Sequence, residues 1–140
     1  MPALSLASLP DLAALRAAWP KQFPLLLQSA ADSGWDILFW SEAQLNTWPL
    51  AEAQAFWQAF AAAEASLLPV ALSDAERRLP FRGGWFFYLG YELLHSLEPT
   101  VAIAAHQDDF PVAALGRAPA AVLVERNTQQ AWLVAEDDSA

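Results

Sequence analysis

A chain of 140 residues fits one domain, and at this size roughly two thirds of the unfolded surface is buried on folding, enough for a real core. With 56% hydrophobic residues, seven tryptophans and only 16% charged residues, the composition excludes an intrinsically disordered chain. Seven Lys+Arg against sixteen Asp+Glu give a formal charge of -9, which repels phosphate backbones and excludes nucleic acid as a partner; zero cysteines exclude a disulfide framework and a thiolate metal site, and point to a reducing compartment, the cytoplasm.

The opening "MPALSLASLPDLAAL" has no basic residue ahead of its apolar part and is broken by Pro10 and Asp11, so it fails the pattern of a secretory signal and is expected to be mature sequence. From Ser8 to Trp19, a Ser, a Pro near the first turn and an acid behind it precede Leu12, Leu15, Ala18 and Trp19 at helical spacing, and Pro20 follows. That pattern predicts a short amphipathic helix. "FPLLLQS" and "WDILFW" are short apolar runs separated by Ala30, Ala31, Asp32, Ser33 and Gly34, and they predict two strands joined by a hairpin or tight loop. In "TWPLAEAQAFWQAFAAAEASLL", Thr47 is the candidate cap, Pro49 stands in the first turn, and Ala53, Phe56, Trp57 and Phe60 form one stripe of the longest predicted helix. Pro69 lies just past its end, and "SDAERRLP" reads as a polar connection with room for one helical turn.

Trp85 to Leu89 is apolar at every position, which predicts a central strand covered on both faces. Gly90 allows a sharp exit, and Tyr91, Leu94 and Leu97 fall at helical spacing up to Glu98 and Pro99, so the segment reads as strand, turn and short helix. After a loop marked by Asp108, Asp109 and Pro111, "AAVLVE" and "AWLVA" flank Arg126 to Gln130 as a hairpin. "FPLLLQSAA" and "WFFYLGYELL" fall short of the roughly 20 apolar residues a bilayer span needs, so no membrane segment is expected. Helices interspersed with mostly antiparallel strands define an α+β class.

Candidate chemistry is sparse. Glu92 and His95 have the i, i+3 spacing of a carboxylate-bridged metal site, but such a site needs a second pair, and His106 is the one other histidine; no metal is expected. There is no G-x-S-x-G and no G-x-G-x-x-G, and Gly83-Gly84 precedes a strand where a phosphate loop precedes a helix. Acids at Asp108-Asp109 and Glu136-Asp137-Asp138 read as solvated loop groups. The tryptophans read as core or interface anchors, with Trp35, beside a Ser-Gly loop, as a candidate pocket wall. Gly83-Gly84 supplies either a bend with unusual dihedrals or a place for close approach by a ligand or another backbone. These residues alone leave a free-standing binding or scaffold module open, with no catalytic set.

The stretch "LPFRGGWFFYLGYELLHSLEP" resembles the P-F-x-G-G, G-Y-[DE]-L and L-E signature of the N-terminal domain in the anthranilate synthase component I-like family, through Pro80, Phe81, Gly83, Gly84, Gly90, Tyr91, Glu92, Leu93, Leu97 and Glu98. "FPLLLQSAADSGWDIL" is similar to that family's first-strand signature through Leu26, Leu27, Ser29, Trp35, Asp36 and Ile37, and the final hairpin sits where the family has a strand pair, so the likeness runs from about Phe23 to Ala135. The resemblance implies the family's α/β sandwich and a domain that is not catalytic by itself. It implies as partners a chorismate-binding domain later in the same protein, which holds the Mg2+ and catalytic residues, and a glutamine amidotransferase subunit. This chain ends before such a domain.

By the same transfer, Ser29, Ser33, Gly34 and Trp35 would line a pocket for L-tryptophan. The anthranilate-forming branch, regulated by tryptophan, carries Glu where this chain has Gln28. Loss of that carboxylate removes a charge-assisted hydrogen bond worth about 1.5 to 3 kcal/mol to the ligand's ammonium. Gln28 together with Leu-Gly-Tyr-Glu is more similar to the aminodeoxychorismate synthase branch, which aminates chorismate on the way to 4-aminobenzoate and folate.

Overall fold

The structure, a computed structural model, describes residues 3–67, 72–101 and 109–136. Pro69, His106, Asp108, Asp137 and Asp138, singled out above, lie outside them. The chain is α+β with mostly antiparallel sheets, and it divides into two compact units: Met1–Gln44 with Pro69–Gly84 and Arg117–Ala140, and Leu45–Leu68 with Trp85–Gly116.

In the first unit, strands β1 (Ala3–Ser5), β2 (Leu25–Leu27), β3 (Trp35–Trp40), β7 (Ala120–Glu125) and β8 (Gln130–Ala135) make a sheet of order β1-β8-β7-β3-β2, with every neighbouring pair antiparallel. Both predicted hairpins are present. Strand β2 pairs with β3 across the Ser29 to Gly34 loop, and β7 pairs with β8 across a turn of residues 126–129, where Gln129 takes φ +54°.

Period-two alternation sorts the sheet into two faces. Leu38, Val122, Val124 and Ala131 gather on one face under Leu12 and Leu15 of helix α1 (Leu12–Ala18). Trp35, Ile37, Ala121, Leu123, Trp132 and Val134 gather on the other, under Leu79 and Phe81. Double cover explains why the middle strand β7 tolerates an unbroken apolar run. Helix α1 begins later than its pattern predicts. Asp11, itself extended at φ −78° and ψ 97°, is the cap, its Oδ1 accepting from the Ala14 N–H at 2.9 Å.

Strands β4 (Asn46–Trp48), β6 (Ala113–Ala118) and β5 (Gly84–Leu89), which belong to the second unit except for Gly84, Arg117 and Ala118, form a sheet of order β4-β6-β5 among the described residues. Helix α2 (Ala53–Ala65) lays its stripe on this sheet. Phe56 is fully buried, meets Trp48, Trp57 and Phe60 with ring centroids 4.9 to 5.8 Å apart, and shares a core with Ala53, Ala63, Leu93, Val112, Ala113 and Leu115. Such a ring cluster adds edge contacts to the burial of apolar area.

Two expectations are corrected here. Thr47 is not a cap: it pairs with Ala114 in β4, Pro49 precedes a single 3-10 turn at Leu50–Glu52, and α2 starts at Ala53. The pairing β6 offers to Asn46–Trp48 outweighs the local helix-start signal.

Among the described residues strand β5 is not central, and from Phe87 to Leu89 it is not fully covered. It terminates its sheet among the described residues, and Phe87, Tyr88 and Leu89 are 53%, 43% and 44% exposed. Uniform apolarity marks a strand that gains from cover on both sides, but it does not supply the covering layer. The strand, turn and helix sequence holds: Gly90 leads into a 3-10 turn at Tyr91–Leu93 and helix α4 (Leu94–Leu97). The connection before β5 forms one helical turn, α3 (Asp74–Arg77), with Ser73 and Glu76 in a reciprocal capping box. No helix among the described residues is long and apolar enough to cross a membrane.

Candidate functional site

The β2–β3 loop brings Ser29, Ser33 and Gly34 together. Ser29 Oγ donates to the Ser33 carbonyl at 2.6 Å and accepts from the Ala31 N–H at 3.4 Å. Gly34 is needed on two counts: it takes φ +102°, and a Cβ there would stand 3.0 Å from Ser29 Oγ. Its N–H donates to Asn127 Oδ1 at 3.0 Å, and its carbonyl accepts from the Arg126 N–H at 2.9 Å, so the two hairpin turns are tied together. Trp35 leaves the loop on the other face of the sheet, where it packs against Trp132 at 5.4 Å. The hydroxyl and glycine of the predicted pocket are therefore adjacent, while the indole is a half-buried core group and Ser33 contributes its carbonyl.

The charged centre of this loop is Asp36, buried on β3. Arg126 grips it with Nε to Oδ1 at 2.8 Å and Nη2 to Oδ2 at 3.0 Å, and spends Nη1 on the Ala31 carbonyl at 3.1 Å. The Ser29 N–H donates to Asp36 Oδ1 at 2.9 Å. Burial pushes the Asp36 carboxyl up, but the hydrogen bond from Arg126, the Ser29 amide and the Arg126 charge outweigh it and hold the group below its ordinary value. The hydrogen bond to Asp36 in turn raises Arg126 above its ordinary value. Sequence reasoning placed Asp36 in a motif and missed Arg126. The available signal was scarcity: with seven cations in the chain, one just past an apolar strand that ends in Glu125 calls for an anionic partner.

The second group of motif residues is spread along the chain. Pro80 is exposed, and Phe81 packs edge-on against Phe39 at 4.8 Å. Gly83 and Gly84 take φ +109° and +125°, the bend expected of them. Arg117 Nη1 donates to the Gly84 carbonyl at 2.7 Å and to Glu136 Oε1 at 2.9 Å, and Nη2 pairs with Glu136 Oε2. The reading of Glu136 as a solvated acid is corrected: it is half-buried in an ion pair, because the chain leaving β8 passes directly over the glycine corner.

Gly90 is extended rather than left-handed. Its N–H donates to the Val112 carbonyl at 2.7 Å, and a Cβ there would come within 2.8 Å of Glu92 Oε2 and 3.0 Å of that carbonyl. Tyr91, the next residue, is 86% exposed. With Leu94 and Leu97, also exposed, it turns the helical stripe outward, while Leu93 enters the core. His95 is exposed, with Nδ1 3.3 Å from the Val101 carbonyl. Among the described residues, no three His, Cys, Asp or Glu side chains gather as a metal site.

The arrangement offers hydrogen-bonding loop groups, two half-buried ion pairs and an apolar flank on β5 and α4. No protein-family model matches the chain, and no curated protein matches it.

Proposed function

We propose that this chain is the N-terminal, non-catalytic domain of an aminodeoxychorismate synthase component I, with its sheets belonging to the α/β sandwich of the anthranilate synthase component I-like family. The observation that carries the reading is the Leu79 to Pro99 signature, folded as a left-handed glycine corner, a strand, and a short helix that turns apolar side chains outward. An uncovered strand terminus with exposed Phe87, Tyr88 and Leu89 suits a domain that docks against a larger neighbour. In this reading the neighbour is the chorismate-binding domain, which supplies the Mg2+ and the catalytic residues, and the glutamine amidotransferase subunit supplies ammonia in the cytoplasm.

The β2–β3 loop supports the choice of branch. Gln28 leaves the loop without the carboxylate that would pair with an amino acid's ammonium, and Asp36 is already committed to Arg126. Tryptophan binding at Ser29 would have to displace the Ser33 carbonyl and the Ala31 N–H from the hydroxyl, which argues against strong feedback control.

The test is to assay the complete gene product with chorismate and ammonia, alongside calorimetric titration with tryptophan. The reading expects 4-amino-4-deoxychorismate, with activity insensitive to tryptophan. Anthranilate as the product would move the chain to the other branch, and the absence of either product from a folded, complete protein would overturn the assignment.

A further inference from the structure

The glycine corner ahead of β5 is held by more than its own dihedrals. Two consecutive residues at φ +109° and +125° form a conformation that glycine adopts without steric cost but also leaves readily, since it has the largest backbone freedom of any residue. Glu136 fills the space beside it: a Cβ on Gly83 would overlap Glu136 Cγ and approach Oε1 to 2.7 Å. The Glu136 carboxylate engages both arms of Arg117, and Arg117 Nη1 also donates to the Gly84 carbonyl. Glu136 is itself positioned from behind, its N–H donating to the Pro119 carbonyl at 2.8 Å. The two charged side chains are 33% and 31% exposed, shielded enough that the pair is stronger than one on open surface.

We infer that Glu136 and Arg117 form a latch that holds Gly83 and Gly84 in the left-handed conformation, so that the start of β5 depends on the course of the chain immediately after β8. The carboxylate does two things at once. It orients the guanidinium toward the Gly84 carbonyl, and it occupies the side of the corner through which the backbone would relax. Displacing Glu136 removes both restraints, and the corner opens locally while the five-stranded sheet stays intact. The inference stands independently of the proposed function.

Trypsin provides the readout, because the bond after Arg82 lies at the corner and the bond after Arg126 lies in the β7–β8 turn of the same unit. Cleavage at both bonds is followed by mass spectrometry in the native protein, Glu136→Ala and Glu136→Gln. Glu136→Ala is expected to speed cleavage after Arg82 by about tenfold, the scale of one lost charge-assisted hydrogen bond, with cleavage after Arg126 unchanged. Glu136→Gln keeps the shape and an acceptor, and falls between.

A second measurement separates a latch from a merely destabilising site. Gly83→Ala should cost less stability in the Glu136→Ala background than in the native one, because only the dihedral penalty remains once the space is vacated. Unchanged cleavage after Arg82 in Glu136→Ala, equal acceleration at both bonds, or additive costs of Gly83→Ala and Glu136→Ala would each overturn the latch.

Discussion

Strand β7, "AAVLVE", and strand β5, "GWFFYL", are both apolar at nearly every position, yet among the described residues β7 runs through the middle of a five-stranded sheet while β5 terminates a three-stranded one. Ala121 and Leu123 are fully buried, with Leu12 packed on one face of their sheet and Leu79 and Phe81 on the other. Helix α2 reaches β5 from one side, where Phe60 meets Phe87 edge-on at 5.2 Å, and on the strand's other side Tyr88 meets Phe110 at 5.6 Å. All but Phe60 of these four rings stay exposed. An apolar run thus measures how much a strand gains from cover, and long-range packing decides whether the cover comes from within the chain.

The contrast can be broken from the β7 side. Leu123→Ala deletes a fully buried side chain between β3 and β8, where the surrounding layers limit collapse, and is expected to cost about 2 to 5 kcal/mol in denaturant unfolding. A cost below about 1 kcal/mol would mean that β7 is not the sealed centre of its sheet.

Asp36→Asn tests the polar end of the same sheet. With the charge-assisted bonds from Arg126 reduced to neutral ones, a loss of about 1 to 2 kcal/mol is expected at neutral pH. The sign with pH follows from a folded-state value lowered below the ordinary one. The stabilisation is complete above the unfolded aspartate's value, about 4, and disappears as pH falls through the lower folded value. The difference between native protein and Asp36→Asn should therefore shrink in acid; a constant difference from neutral pH down to strong acid would contradict the pairing.

The smallest stability effect is expected on β5. Tyr88→Ser removes one exposed ring and should change unfolding free energy by no more than about 1 kcal/mol. The same change should lower binding of a hydrophobic dye and self-association at high concentration, because it shortens the uncovered apolar flank. A loss as large as that of Leu123→Ala would show that β5 is buried after all and remove the contrast.

Much of the architecture was legible because it rests on signals a few residues apart. Turn-forming residues between apolar runs marked both hairpins, helical spacing marked α2 and the turn after Gly90, and a paired glycine marked the left-handed corner. Strands β1, β4 and β6 were not legible. Two have only three residues, and the third, "AALGRA", carries alanines and a glycine where β-branched side chains would have signalled a strand. Of the loop on β2–β3, the sequence identified Ser29, Gly34 and Asp36, but the partner of Asp36 stands ninety positions away, and nothing local connects them.

The sequence by itself determined the α+β class, the order of most elements and the residues that need glycine, because these follow from backbone dihedrals and from side-chain periodicity along the chain. Only the tertiary structure decided which apolar strand is sealed and which is left at a margin, and which of the scarce arginines serve Asp36 and Glu136. Those outcomes depend on strand pairing and ion pairing between distant segments, whose free energies are absent from any short window of residues.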